Sequence, residues 1–252
     1  METKNFKRVF VWELPVRIFH WTNVLCVVVL SVTGFIIADP PVLLSNAEAT
    51  NLNYFGIIRL IHFITAYIFF FVMLMRIYWA FVGNQFASWK AFWPFKKKTW
   101  NNIVHVLKID ILLFNEEEED LSKVSIGHNS VAALSYIAMF IIALISIFTG
   151  FALYSDMSEW WLPNLFAWVI PFFGGDFMVR TIHHIAMWGF ILFAIVHVYL
   201  VFYHDWLEGR GEVSSMFSGY KFVRRKRFIK RKKIESDGET LIVEEEEPVT
   251  ES

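Results

Sequence analysis

Between Arg180 and Trp206 the chain reads RTIHHIAMWGFILFAIVHVYLVFYHDW, which is apolar yet carries His183, His184, His197 and His204. The run is about as long as a bilayer is thick. In lipid it must satisfy its own backbone hydrogen bonds, which restricts it to an α-helix. Ionisable side chains inside such a helix are costly, and their presence points to function. Histidine is also the usual axial ligand of haem iron. His183 and His197 are fourteen residues apart, which is about 40° off a whole number of turns and roughly 21 Å along the axis. One face of this helix therefore suits two haem irons, one in each leaflet. His184 is thirteen residues from His197, roughly 140° around the helix. On the plainer reading these histidines line a polar cavity or a proton path. Haem requires partner ligands elsewhere in the chain.

The composition agrees with a polytopic membrane protein: of 252 residues, 56% are hydrophobic and 18% aromatic, and the apolar residues fall in long runs. Cys26 is the sole cysteine and lies in an apolar run. This excludes an internal disulfide, a four-cysteine iron–sulfur site and a CxxCH haem attachment. Any haem is then b-type and non-covalently held. Met1 to Pro15 is too polar and aromatic for a signal peptide, and no small-residue cleavage site follows, so the first apolar run reads as a retained helix.

Four spans are predicted, at about residues 18–38, 57–82, 131–154 and 180–206. They define an all-α membrane protein, an up-and-down four-helix bundle over residues 18–206. A basic and aromatic arm, 1–17, precedes the bundle. The first connection is rich in Asn. The second, Gln85 to His128, holds an interfacial helix at Thr99 to Phe114 and an acidic run at Glu116 to Asp120. The third, Ser155 to Val179, is rich in Trp, Pro and Gly and reads as an interfacial segment. The tail, 207–252, is basic from Lys221 to Lys233 and then acidic, which predicts partial disorder.

Lys and Arg set the expected orientation. The arm has Lys4, Lys7, Arg8 and Arg17; the middle connection has Lys90, Lys96, Lys97, Lys98, Lys108 and Lys123; the tail has nine between Lys221 and Lys233. The interiors of the other two connections have none. The positive-inside rule then puts both termini and the middle connection in the cytoplasm. With a net charge of −1 and this much apolar surface, the chain's partners are the lipid bilayer and other proteins, not nucleic acid.

On this topology His20 and His197 fall at the inner level, and His62 and His183 at the outer. Two bis-histidine haems in a four-helix bundle need this arrangement. Arg17, Arg59 and Arg180 each precede a histidine by three residues, toward the membrane surface, where a guanidinium can pair with a haem propionate. Arginines that snorkel at helix ends look the same. The repeat favours His183 over its alternative, His184. Thr33-Gly34-Phe35 and Thr149-Gly150-Phe151 recur near the outer ends of the first and third spans, where glycine lets a flat macrocycle approach. Ordinary helix contacts use small residues too. His105 reads as a surface residue. His128, Tyr203 and His204, toward the inner side, are candidates for quinone contact or proton relay, or else headgroup-level polar residues.

Arg8 to Pro41, RVFVWELPVRIFHWTNVLCVVVLSVTGFIIADPP, resembles the opening of the b-type cytochrome subunit of membrane-bound nickel–iron hydrogenases. VWELPVR followed by His20-Trp21 is its most specific part. Ile182 to Tyr199, with its IHH and HVY, is similar to the fourth helix of that family. The likeness covers nearly all of the spanning region and belongs to a wider class of dihaem cytochromes that includes formate dehydrogenase gamma subunits. The resemblance implies two non-covalent haem b groups. It also implies a hydrogenase dimer of small and large subunits anchored at the outer face of the bacterial inner membrane. Electrons then pass through the haems to a quinone, and the whole complex can form an oligomer. Carried over by position, the ligands are His20, His62, one of His183 and His184, and His197. The alternatives are a cytochrome serving another outer partner, of formate dehydrogenase or thiosulfate reductase type, and a haem-free anchor. The chain has no cysteine pairs to bind nickel and iron, so it is a redox relay and not catalytic alone.

Overall fold

The protein was analysed as a computed structural model that describes residues 6–40, 53–92, 130–208, 211–224, 229–236 and 239–246. In chain order the elements are β1 (Phe6–Phe10), α1 (Leu14–Ala38), α2 (Tyr54–Val82), α3 (Ser130–Ser155), α4 (Trp161–Asn164), α5 (Val169–Phe172), α6 (Asp176–Glu208), α7 (Glu212–Ser218), β2 (Tyr220–Arg224), β3 (Ile229–Ser236) and β4 (Glu239–Glu246). Thr99 to Phe114, Glu116 to Asp120, His105 and His128 lie outside the described residues.

Helices α1, α2, α3 and α6 are each long and apolar enough to cross a membrane. They coincide with the four predicted spans and run slightly beyond them. The first starts at Leu14 because Pro15 is tolerated in an opening turn, where its missing N–H costs nothing. It stops at Asp39-Pro40. Helix α6 gains a turn before Arg180, with Asp176 in its first turn, where a carboxylate meets the positive end of the helix dipole. Leu25, Val28, Val32, Leu60, Ile64, Phe71, Leu192 and Ile195 are exposed along these helices. In lipid such side chains face acyl tails and need no protein partner.

Helix α1 packs along α2, and α3 along α6, giving two antiparallel hairpins. Between them lies an apolar core of Cys26, Phe69, Met73, Ala143, Ile147, Phe151 and Leu162. The Trp-rich connection folds into the short helices α4 and α5, separated from α6 by Gly174 and Gly175 at positive φ. Val169 and Val179 pack there against Ala152 of α3.

At the opposite end the strand before α1 meets the strand after α7. β1 pairs antiparallel with β2, Phe6 opposite Arg224 and Phe10 opposite Tyr220. Gly219, at φ 85°, turns α7 into β2, and its carbonyl accepts from Val11 N at 2.9 Å and Trp12 N at 3.0 Å. A Cβ at this position would stand 2.7 Å from the Trp12 carbonyl, so only glycine fits. Trp12 donates to Ser215 Oγ at 3.2 Å and Trp21 to the Met216 carbonyl at 3.1 Å. Glu13 Oε2 accepts from Trp79 Nε1 and from Asn84 N, both at 2.9 Å, and so clamps the start of α1 to the end of α2. The charged tail, expected to be partly disordered, contains β2 and a β3–β4 hairpin. The hairpin register sets Lys230 opposite Glu245 and Arg231 opposite Glu244.

Candidate haem-binding site

The histidines fall at two levels of the bundle. Near the α4–α5 end, His62 of α2 faces α1 and His183 of α6 faces α3. Thr33 Oγ1 lies 2.8 Å from His62 Nδ1, and Thr149 Oγ1 lies 2.8 Å from His183 Nδ1. The glycine after each threonine leaves room for the ring. A Cβ at position 34 would lie 3.6 Å from His62 Cε1, and one at position 150 would lie 3.1 Å from His183 Cε1. Each hairpin thus contributes one Thr-Gly-Phe tripeptide and one histidine to this level.

Near the end that carries β1 and β2, His20 of α1 and His197 of α6 have ring centres 6.4 Å apart. A metal–imidazole bond is roughly 2 Å and the bonded nitrogen sits roughly 1 Å from its ring centre, so two imidazoles on opposite sides of one metal would have centres about 6 Å apart. The observed spacing is close to that distance. Phe193 stacks on His197 at 5.3 Å with 13° between planes and sets that ring's orientation. His20 Nδ1, Asn23 Oδ1 and Arg17 Nε are buried here without protein hydrogen-bond partners. A polar group accommodated between α1 and α6 fits all three.

His184 lies beside Phe35, with ring centres 6.5 Å apart. Of the three arginines, Arg17 donates to the Phe217 carbonyl, Arg59 lies 2.7 Å from Met157 Sδ, and Arg180 is exposed. Tyr203 and His204 lie on the last turns of α6, and Tyr203 stacks on Tyr199 with ring centres 6.0 Å apart.

Sequence reasoning noticed the two Thr-Gly-Phe tripeptides for their glycines and overlooked their threonines. It also passed over Arg76, half-buried in α2 with its guanidinium 5.8 Å from the Phe19 ring. A charged side chain inside a span was the signal available. Among the described residues no cluster of three or more His, Cys, Asp or Glu side chains forms a cage for a bare metal ion. Histidines in pairs, with glycine beside the ring, suit a flat macrocycle that supplies the other four ligands itself.

A family profile described as prokaryotic cytochrome b561 matches residues 11–219. The chain belongs to the prokaryotic cytochrome b561 family. Haem b as cofactor and electron transfer as the role follow from that membership. With four spanning helices, this cytochrome is a multi-pass integral protein of the bacterial inner membrane. A Cupriavidus necator protein named "Probable Ni/Fe-hydrogenase B-type cytochrome subunit" is 37% identical over 222 residues, covering 86% of this chain and 88% of its own. An Escherichia coli protein named "Probable Ni/Fe-hydrogenase 1 B-type cytochrome subunit" is 39% identical over 217 residues, 84% of this cytochrome and 90% of its own length. A Rhodobacter capsulatus protein with the same name as the first is 37% identical over 221 residues, 84% of this cytochrome and 81% of its own length.

Proposed function

We propose that this cytochrome is the membrane relay of a nickel–iron hydrogenase. It anchors the hydrogenase small and large subunits at the outer membrane face and passes their electrons inward to quinone. Two b haems serve the relay, one held by His62 and His183, the other by His20 and His197. When bound, haem iron supplies one-electron chemistry by alternating between its ferric and ferrous states. The observation that carries this reading is that His20 and His197 have ring centres 6.4 Å apart at one level, while His62 and His183 each stand beside a Thr-Gly pair at the other. The relatives' names support a hydrogenase as the partner.

The charge pattern supports the orientation. In this reading residues 18–206 are the haem-binding unit, flanked by a cytoplasmic arm, 1–17, and a cytoplasmic tail, 207–252. The Trp-rich connection then faces outward. It has no Lys or Arg between residues 156 and 175, and Trp160, Trp161, Leu165, Trp168 and Phe172 are exposed, an apolar surface on which a protein partner can dock. The histidine levels on α6 are roughly 21 Å apart along the helix axis. Arg17, Arg59 and Arg180 supply positive charge at the helix ends for propionates. Tyr203, His204 and His128 are the candidate quinone contacts, with cytoplasmic water as the proton source.

Hydrogen-dependent reduction tests the direction. His20→Ala and His197→Ala should leave hydrogen oxidation with an artificial soluble acceptor near the wild-type rate and abolish hydrogen-dependent quinone reduction. Normal quinone reduction in His20→Ala would mean that quinone accepts electrons at the outer level, and the inward route would be wrong.

A further inference from the structure

Thr33 and Thr149 do more than hold two rings in place: we propose that their hydroxyls fix the tautomers of His62 and His183, so that each presents an unprotonated Nε2 to haem iron. This rests on the ligand assignment just given. Thr33 Oγ1 lies 2.6 Å from the Val29 carbonyl oxygen and 2.8 Å from His62 Nδ1. A hydroxyl has one proton and two lone pairs, whereas a carbonyl oxygen can only accept. The short contact to Val29 must therefore contain the hydroxyl proton, since two oxygens with facing lone pairs would repel at that distance. With its proton committed to the backbone, Oγ1 meets the ring only as an acceptor. Nδ1 then carries the ring hydrogen, and a neutral imidazole with Nδ1–H has a bare lone pair on Nε2.

The same arrangement is built a second time from different residues. Thr149 Oγ1 lies 2.6 Å from the Ile145 carbonyl oxygen and 2.8 Å from His183 Nδ1. A threonine in a spanning helix commonly bonds its own i−4 carbonyl. Here that ordinary bond has a consequence in the neighbouring helix, because it leaves the hydroxyl a fixed acceptor. His184 has no such partner among the described hydrogen bonds, which separates it from His183 by chemistry.

A hydrogen bond at Nδ1 raises the basicity of a ligating imidazole. A more basic ligand favours ferric over ferrous iron, so the threonines hold the haem at this level at a lower potential than it would otherwise have. Thr33→Val and Thr149→Val keep the side-chain shape and remove the acceptor. In the purified full-length cytochrome each should raise the midpoint potential of one haem, leave the other unmoved, and weaken retention of the affected haem by about 10–100-fold. Thr33→Ser and Thr149→Ser restore the hydroxyl and should return both readings to wild type. If a valine variant does not accumulate in the membrane, alanine and serine variants are compared in the same titration. Full haem occupancy with unshifted potentials in the valine variants overturns the tautomer role, as does equal haem loss in the serine variants. His62→Ala, run alongside, must lose one haem. If it keeps two, the ligand assignment is wrong; if it loses one while the valine variants are unshifted, only the tautomer role fails.

Discussion

Gly34 and Gly150 occupy equivalent places, each one residue after a histidine-bonding threonine, yet they tolerate different amounts of added bulk. A methyl at Gly150 would stand 3.1 Å from His183 Cε1, whereas one at Gly34 would stand 3.6 Å from His62 Cε1. The second distance is ordinary van der Waals contact. The first is too short by a few tenths of an ångström, and His183 cannot yield freely because Thr149 holds its Nδ1. Both glycines lie inside spanning helices, so the change in helix propensity is shared and cancels in the comparison. The difference isolates the overpacking at His183, about 1–3 kcal/mol, which at about 1.4 kcal/mol per tenfold is about 5-fold to about 150-fold in haem affinity. Gly150→Ala should lose haem progressively during dilution in detergent, while Gly34→Ala keeps it, as read by the Soret absorbance per protein. Equal retention in the two variants would refute this account of His183.

Three further outcomes follow from the same geometry. His183→Ala should lose one haem in a pyridine haemochrome assay while His184→Ala keeps both; the reverse result would make His184 the ligand. Glu13→Ala leaves the Trp79 indole and the Asn84 amide without their shared acceptor, a loss of about 1–3 kcal/mol for unmade hydrogen bonds. It should lower the thermal midpoint of the purified cytochrome, and an unchanged midpoint would mean the clamp contributes nothing. Against the buried background of Cys26, Phe172→Cys should react with a membrane-impermeant thiol reagent in intact spheroplasts. Lys226→Cys should react only after the membrane is opened, and the opposite pattern would invert the topology.

The spans were legible because lipid leaves few options: an apolar run of that length is a helix, and its apolar side chains need no particular partner. Their ends were less legible, since a start at Leu14 depends on Pro15 being harmless in a first turn and a start at Asp176 depends on the dipole. The separation of His183 and His197 along one helix could be read from their spacing, because the rise of a helix is known. The threonines were not legible as ring partners. A threonine in a span ordinarily bonds its own backbone, and nothing local says that it also meets a histidine in the next helix, twenty-nine residues away for Thr33 and thirty-four for Thr149. The terminal cap was hidden for a similar reason. VWELP carries no periodic signal, and the work of Glu13 appears only when Trp79 and Asn84 are brought beside it. The β1–β2 pairing joins segments more than two hundred residues apart in sequence.

The measurement closest to the central claim is haem stoichiometry across ligand variants of the purified cytochrome. Two b haems per chain are predicted for the wild type, and one for each of His20→Ala, His62→Ala, His183→Ala and His197→Ala. Within a level the losses should not add, so His62→Ala with His183→Ala retains one haem, whereas His20→Ala with His62→Ala retains none. Two haems surviving the loss of any of these histidines, or a double variant whose count breaks the pairing, would contradict the two-level assignment.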